Sequence, residues 1–467
     1  MTEGWRLGFR SVDHELTDWS PLSVVGELPA ALHGTLYLLG PARHEVHGER
    51  NASWLDGDGM AHAVRIDQGG ARYRSRFVVT TKKRAEDAAG RRIYGTLGDV
   101  PAGGALRRLR HPFPRSTANT AIAVHGDSVL ALWSGARPYA LDPDTLETLG
   151  EATLGGRLRP WHPFSASPAT DPVTGDLWNV GIRWGLPPVF RVYRCPPGKR
   201  AQVVASGSLA RCPGAAAFGI SATKAVLVLP PLLLPMIPVR VALGRRSMLD
   251  SLEWQPERHT RLIVVDRRTG AVRRTSTDAL MVSALAQAYD DGEDLVVDLC
   301  TFPDGSALDV TREVMSGEIR TQTYATLAAL RIRPDGEVTT TLLPPLDGAR
   351  ISSPAHAGPD ARIYGVTLNP LGRYMGLPAA VDRGSGKVAW APPEADAFAG
   401  APIPVPRPGA VVSTDCWVLT VVLNSTTGTS ELRVLDGEDL TRPPLAVAAL
   451  PQVVPFGFQG AWAPALP

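Results

Sequence analysis

Histidine, cysteine and aromatic residues are all scarce in this chain. Of 467 residues only 10 are histidine and 4 are cysteine, and Phe, Trp and Tyr together make up 6%. Cys195, Cys212, Cys300 and Cys416 lie far apart and form no C-x-x-C pair. That excludes a thiolate zinc motif and a disulfide framework, and a reduced, cytoplasmic setting is expected. Excess charge is lacking too: 48 Lys and Arg against 46 Asp and Glu leave a net charge of +2, so nothing draws the chain globally to nucleic acid. The N-terminal stretch MTEGWRLGFRSVDHELTDW holds no apolar run of the signal-peptide kind.

Helical periodicity is likewise sparse, with RRSMLDSLEW at 245–254 the clearest candidate for a short helix. What is abundant is turn chemistry. DGDG at 56–59, DPDT at 142–145, DPVTG at 171–175, DRRTG at 266–270, PDGE at 334–337 and NSTTG at 424–428 punctuate short β-branched runs such as RLIVVD, DLVVDLC and WVLTVVL. This spacing predicts many antiparallel strands joined by hairpins. With 44% hydrophobic residues and no long Pro/Gly/Ser linker, one closed all-β domain over 1–467 is expected. A propeller hides its sheet edges by radial repetition and holds that many residues in one unit. No repeat of the WD or kelch type is visible, so the blades are divergent.

One segment reads as membrane-like. Val226–Leu243 is almost wholly apolar, but Pro230, Pro231, Pro235 and Pro238 would break a spanning helix. It is either a buried strand with a packed loop, or an exposed patch that touches a membrane or guards an apolar tunnel. The basic run RRLRHPFPR at 107–115 is a solvated surface or a site for anionic lipid or diphosphate.

Several stretches, in order and spacing, resemble the carotenoid cleavage oxygenases: WLDGDGMAH at 54–62, TANTA at 117–121, ALWSGARPYALDPDTLETLG at 131–150, DPVTGDL at 171–177, QAYD at 287–290, SELRVLD at 430–436 and VPFGFQG at 454–460. The resemblance implies a seven-bladed β-propeller with a small helical and loop cap over an axial tunnel. It also implies an axial ferrous iron held by histidines, glutamates behind them, and apolar polyene substrates drawn from a membrane. Val226–Leu243 would fall at the apolar entrance, which favours its exposed reading.

At the positions that match the family's ligand motifs, this chain carries other residues. The pattern S-A-H-P-x-x-D-P-x-T-G meets SASPATDPVTG at 165–175, so Ser167 replaces the first histidine. H-D-F-x-x-T meets AAFGIS at 216–221, which puts Ala216 at the second. The third falls on Ala284, three residues before QAYD, and the fourth, in G-F-H-G, falls on Gln459. Of the supporting acids, one becomes Ser134, one falls near Leu343, and only Asp290 keeps a carboxylate. Serine, alanine, alanine and glutamine do not make a ferrous site, which needs several imidazole or carboxylate donors. No metal and no other cofactor is expected, and without a flavin-binding signature either, dioxygen activation has no agent.

Two functions remain open on this reading, and a third, an ordinary iron-dependent carotenoid cleavage oxygenase, survives only if the match is out of register at all four positions. One is a metal-free enzyme isomerising, cyclising or eliminating on an isoprenoid or polyene. A carboxyl group raised in pKa by an apolar pocket would be its acid, Asp290 first and Asp415 second. Each of these aspartates could equally start a hairpin turn or cap a strand. Trp133, Trp417, Phe458 and Trp462 would line the site and stabilise a cation, together with Ser134, Ser167, Ala216, Ala284 and Gln459. The other function is a non-catalytic carrier of a carotenoid or terpenoid, or a regulatory partner of an active homologue. His62, inside the scaffold motif, is expected to be structural, and His44 and His47 lie in a loop before it.

Overall fold

The computed structural model describes residues 4–68, 70–100, 115–235, 239–243, 245–368 and 376–465. Seven antiparallel sheets of four to six strands succeed one another along the chain, each a blade of one wheel. The innermost strands are Gln459–Pro464 in blade one, Ala121–His125 in blade two, Ala169–Thr170 in blade three and Ala217–Ile220 in blade four. Met281–Asp291, Asp347–Arg350 and Ile403–Pro406 are those of blades five, six and seven. Neighbouring inner strands touch around the ring, blade four against five, five against six, seven against one and one against two.

The wheel is closed from both ends of the chain. The last strand, Gln459–Pro464, pairs with Gly34–Arg43 as the inner edge of blade one, in a register that sets Gln459 opposite Leu39. An early strand, Val24–Gly26, forms the outer edge of blade seven against Ala446–Ala449. Pairing both termini into sheets ties together the one junction that chain connectivity leaves open.

The apolar core is correspondingly divided into layers between blades. Leu36, Val64, Leu419 and Leu432 join blades seven and one, and Trp178, Phe190, Leu227 and Ile263 join three and four. Val226, Val228, Leu295 and Leu299 join four and five, and Tyr364, Val418 and Leu435 join six and seven. Alternation along each strand thus buries both faces of every sheet.

A cap of short helices and loops makes its own cluster from Phe9, Trp54, Val314, Met315 and Phe456. Its longest helix, Ala307–Ser316, stops at Gly317, whose φ of 83° continues the left-handed turn a side chain would resist. The stretch at 245–254 is not the expected helix: it is one tight turn, Leu249–Ser251, and a short strand, Glu253–Trp254, because the latter pairs with Leu232–Leu233.

The DGDG and TANTA motifs form one unit. Gly59 donates to the Thr117 carbonyl at 2.8 Å, and Asn119 Nδ2 donates to the carbonyls of Leu55 and Gly57. A Cβ on Gly59 would sit 1.9 Å from the Ala118 carbonyl oxygen, so only glycine fits there.

The described stretch of the apolar run from Val226 to Leu234 is internal, whereas Leu243 at its far end is 36% exposed. Val226, Leu227, Val228, Leu229, Leu232, Leu233 and Leu234 are all buried. This corrects the membrane-patch reading for that part: Val226, Leu227, Val228 and Leu229 fill the layers between blades three, four and five, and Leu234 packs with Val241 and Met248. Residues 236–238, and all of the basic run except Arg115, lie outside the described residues.

Candidate functional site

The chain enters each of blades two to seven by its innermost strand, so the leading ends of these strands gather at one face of the wheel. Ser167 precedes the inner strand of blade three by two residues, and Ala216 immediately precedes that of blade four. Ala284 lies near the start of Met281–Asp291, and Gln459 is the first residue of Gln459–Pro464. All four are half-buried, as expected for side chains around an axial space. Trp133 and Ser134 follow the blade-two strand Ser128–Leu132 and so reach the same face. Ser134 Oγ accepts from the Ala166 amide at 3.1 Å, just ahead of Ser167. Phe458 packs on Trp54 with ring centroids 4.2 Å apart, placing an aromatic wall under the cap.

Both candidate acids stand elsewhere. Asp290 is six residues beyond Ala284 on the same strand, roughly 20 Å further along at the strand rise. It caps the turn between two blade-four strands: Ser221 Oγ and the Thr223 amide donate to it at 2.9 Å, and Lys224 Nζ pairs with it at 2.9 Å. Burial would raise its pKa, but the bonds from Lys224, Ser221 and Thr223 outweigh that and hold it below the ordinary carboxylate value. A carboxyl group kept ionised cannot donate a proton, so the acid role is corrected. Asp415 belongs to the hairpin between Ile403–Pro406 and Cys416–Asn424, at its trailing end, and sits 3.5 Å from Arg407 Nη1.

Trp417 and Trp462 are also corrected. Trp417 is 6% exposed in the core between blades seven and one, with the Arg407 guanidinium over its ring. Trp462 packs into the same core beside Gly34. Both rings face neighbouring sheets rather than the axis.

The acid that the site does contain is Asp347, which sequence reasoning missed while searching near Leu343. It opens the blade-six inner strand. Its Oδ1 accepts from the Gly348 amide at 2.8 Å and from Ser283 Oγ at 3.3 Å. Ser283 is extruded by a break in register between Val282 and Ala284, an extra residue of the kind that re-aims a side chain. Burial raises the Asp347 pKa, against the lowering effect of those two bonds. The neighbouring Cys300 thiol, fully buried, is also pushed up. Three residues on, Arg350 reaches from blade six to donate Nη1 to the Gly460 carbonyl in blade one at 3.0 Å.

The described histidines do not rebuild a metal centre. His62 is buried with Nδ1 2.7 Å from Tyr73 Oη, and burial takes its pKa down to about 3, which makes it a neutral structural partner as expected. His44 is fully buried and lowered to about 4, and His47 Nε2 is bonded to the Glu86 carbonyl at 3.1 Å. Among the described residues no three His, Cys, Asp or Glu side chains converge as a metal site.

A propeller with its candidate site at the leading ends of inner strands, under a helical cap, defines the class. The family model of RPE65, retinal pigment epithelial membrane protein, matches residues 9–464. The chain therefore belongs to the RPE65/carotenoid cleavage oxygenase family. It is 29% identical to the apocarotenoid-15,15'-oxygenase of Synechocystis sp., over 99% of this chain and 96% of that one. It is 28% identical to resveratrol cleavage oxygenase 1 of Aspergillus fumigatus, over 95% and 92% of the two chains, and 26% identical to isoeugenol monooxygenase of Pseudomonas nitroreducens, over 96% and 95%. A solved structure of the Synechocystis apocarotenoid oxygenase superposes with a TM-score of 0.89 at 27% identity, covering 99% of each chain. A cobalt-substituted form of that enzyme superposes at 0.87.

The metal that the family implies does not fit the donors present here. Two alanines offer no lone pair, and a serine hydroxyl and a neutral amide are weak ligands for Fe(II). No step is routed through it.

Proposed function

We propose that this chain binds an apolar polyene or isoprenoid at the hub and moves its double bonds by acid–base chemistry, without bound iron. The reading is carried by one observation: Ser167, Ala216, Ala284 and Gln459 occupy the leading ends of four inner strands where the family's motifs carry histidine. The hydrophobic substrate class comes from the family. Relatives named for apocarotenoid, resveratrol and isoeugenol all act on conjugated or alkenyl carbon skeletons.

Asp347 takes the acid's part in place of Asp290 and Asp415. Desolvation favours its neutral form, and with both bonds on Oδ1, Oδ2 has no partner among the described residues. A proton given from Oδ2 to an alkene carbon leaves a cation, and the same carboxylate then removes a proton from an adjacent carbon. The bond shifts with no change in oxidation state, so no oxidant is consumed. Trp133 and Phe458, on the hub face, supply π-electron density for the cation.

Elemental analysis of protein purified from iron-supplemented cells tests the reading. Iron far below one equivalent is expected, and near-stoichiometric iron overturns it. Incubation with apocarotenoids under argon adds a second arm: a product of unchanged mass supports isomerisation, and binding without turnover supports a carrier instead.

A further inference from the structure

We propose that Arg350 is the anchor for a carboxylate at one end of the hub ligand, so that the ligand is a polyene or prenyl acid rather than a neutral hydrocarbon, alcohol or ester. This deepens the proposed function and rests on the hub being the ligand site.

The geometry is unusual for a charged group. Arg350 is the last residue of the blade-six inner strand, and its Nη1 reaches Gly460 of blade one at 3.0 Å. Blade seven lies between those two blades, and its inner strand contacts that of blade one. A direct bond from blade six to blade one therefore runs through the hub. It ends beside Gln459, one of the four positions that carry no imidazole.

Arg350 lies deep in the protein, and desolvation draws its pKa down to about 10, which leaves it charged at neutral pH. Its side chain is nonetheless half-buried rather than sealed from solvent. Nη2 and Nε have no hydrogen-bond partner among the described residues, and neither is sealed from solvent-sized access.

Several other inward arginines are compensated by carboxylates, whereas buried Arg74 instead donates to the Asp144 backbone carbonyl and lies over the Trp19 ring. Arg43 pairs with Asp58 and Asp87, Arg92 with Asp99, Arg383 with Asp298, and Arg433 with Glu394 and Glu431. No carboxylate among the described residues pairs with Arg350, Asp347 included. An uncompensated internal cation is costly, and one guanidinium with two free donors matches one carboxylate through a bidentate pair. A monoanion balances it. The polyene would then extend from Arg350 across the half-buried hub, with Asp347 three residues back along the same strand.

The test uses the purified full chain, with retinoic acid, its methyl ester and retinol as probes and quenching of tryptophan fluorescence as readout. The acid is expected to bind at least about tenfold more tightly than the ester or alcohol. Arg350→Met should lose that preference while keeping ester affinity, and Arg350→Lys should retain part of it. Equal affinity of the wild-type chain for acid and ester overturns the proposal, as does binding of neither, or the same acid preference in a folded Arg350→Met. The wild-type comparison decides the matter even if the methionine variant does not fold. Iron is measured on the same preparation: an acid preference in iron-loaded protein would keep the anchor and sink the metal-free reading, so the two failures are distinct.

Discussion

Ser283 Oγ lies 3.3 Å from Asp347 Oδ1, joining a residue extruded from the inner strand of blade five to the first residue of the inner strand of blade six. The contact loads one carboxyl oxygen, and the other has no partner among the described residues. Asp347→Asn is expected to reduce turnover by about 10²–10⁴-fold, the range for a general acid, with probe affinity unchanged. Ser283→Ala should cost less and shift the acid limb of the pH–rate profile. Unchanged turnover in Asp347→Asn would remove the acid from the mechanism.

The same carboxyl group gives a signed stability prediction. Its folded-state pKa is raised by burial, so the native state disfavours the ionised form. The penalty is absent below the unfolded-state pKa of about 3.9, grows as pH rises towards the folded value, and is full above it. Asp347→Asn should match the wild type near pH 3 and exceed it at pH 7, by urea denaturation.

Asp290 behaves in the opposite sense. Its folded pKa is depressed by bonds from Lys224, Ser221 and Thr223 that outweigh burial, so its contribution is present above the unfolded pKa and lost as pH falls through the folded one. Asp290→Asn is expected to cost about 1–2 kcal/mol at pH 7, with the gap closing in acid and with turnover untouched. A large loss of kcat in a stable Asp290→Asn would restore it as a catalytic residue.

The helix Thr81–Ala89 docks through Lys82, whose side chain is 2% exposed and lies 2.9 Å from both Asp58 and Glu86. Lys82→Met removes the ion pair of Glu86 and leaves Asp58 with Arg43 alone, and should destabilise the protein by about 3 kcal/mol, read as a fall in the denaturant midpoint. A change below about 1 kcal/mol would mean that the cluster relaxes to water.

If the four hub positions are those of lost ligands, restoring them should create a metal site. The variant Ser167→His/Ala216→His/Ala284→His/Gln459→His is expected to take up close to one equivalent of cobalt(II), visible in its absorption spectrum, where the wild type takes up little. No gain would mean that the positions do not converge.

The scaffold was legible because its motifs are local. DGDG, TANTA and the DPxTG turns each encode a bend or a tight approach between close segments, as Gly59 against Ala118 demonstrates. The four proposed hub positions were read in the same way, each anchored by its own neighbours in sequence. The acid was not: Asp290 and Asp347 are both aspartates beside glycine-containing turns, and one-dimensional reading cannot tell which end of a strand faces the axis. Trp417 and Trp462 failed similarly, because their strands turn these large side chains sideways into the layer between blades seven and one.

From its residues alone this chain determines a β-rich wheel and places serine, two alanines and glutamine at the positions that match the family's ligand motifs, because strand, turn and motif chemistry are properties of short segments. Only the tertiary structure decided that Lys224 claims Asp290, that a register break aims Ser283 at Asp347, and that Arg350 crosses to Gly460. Those pairings join residues between 64 and 110 positions apart, and the fields that set their protonation exist only once the blades have closed.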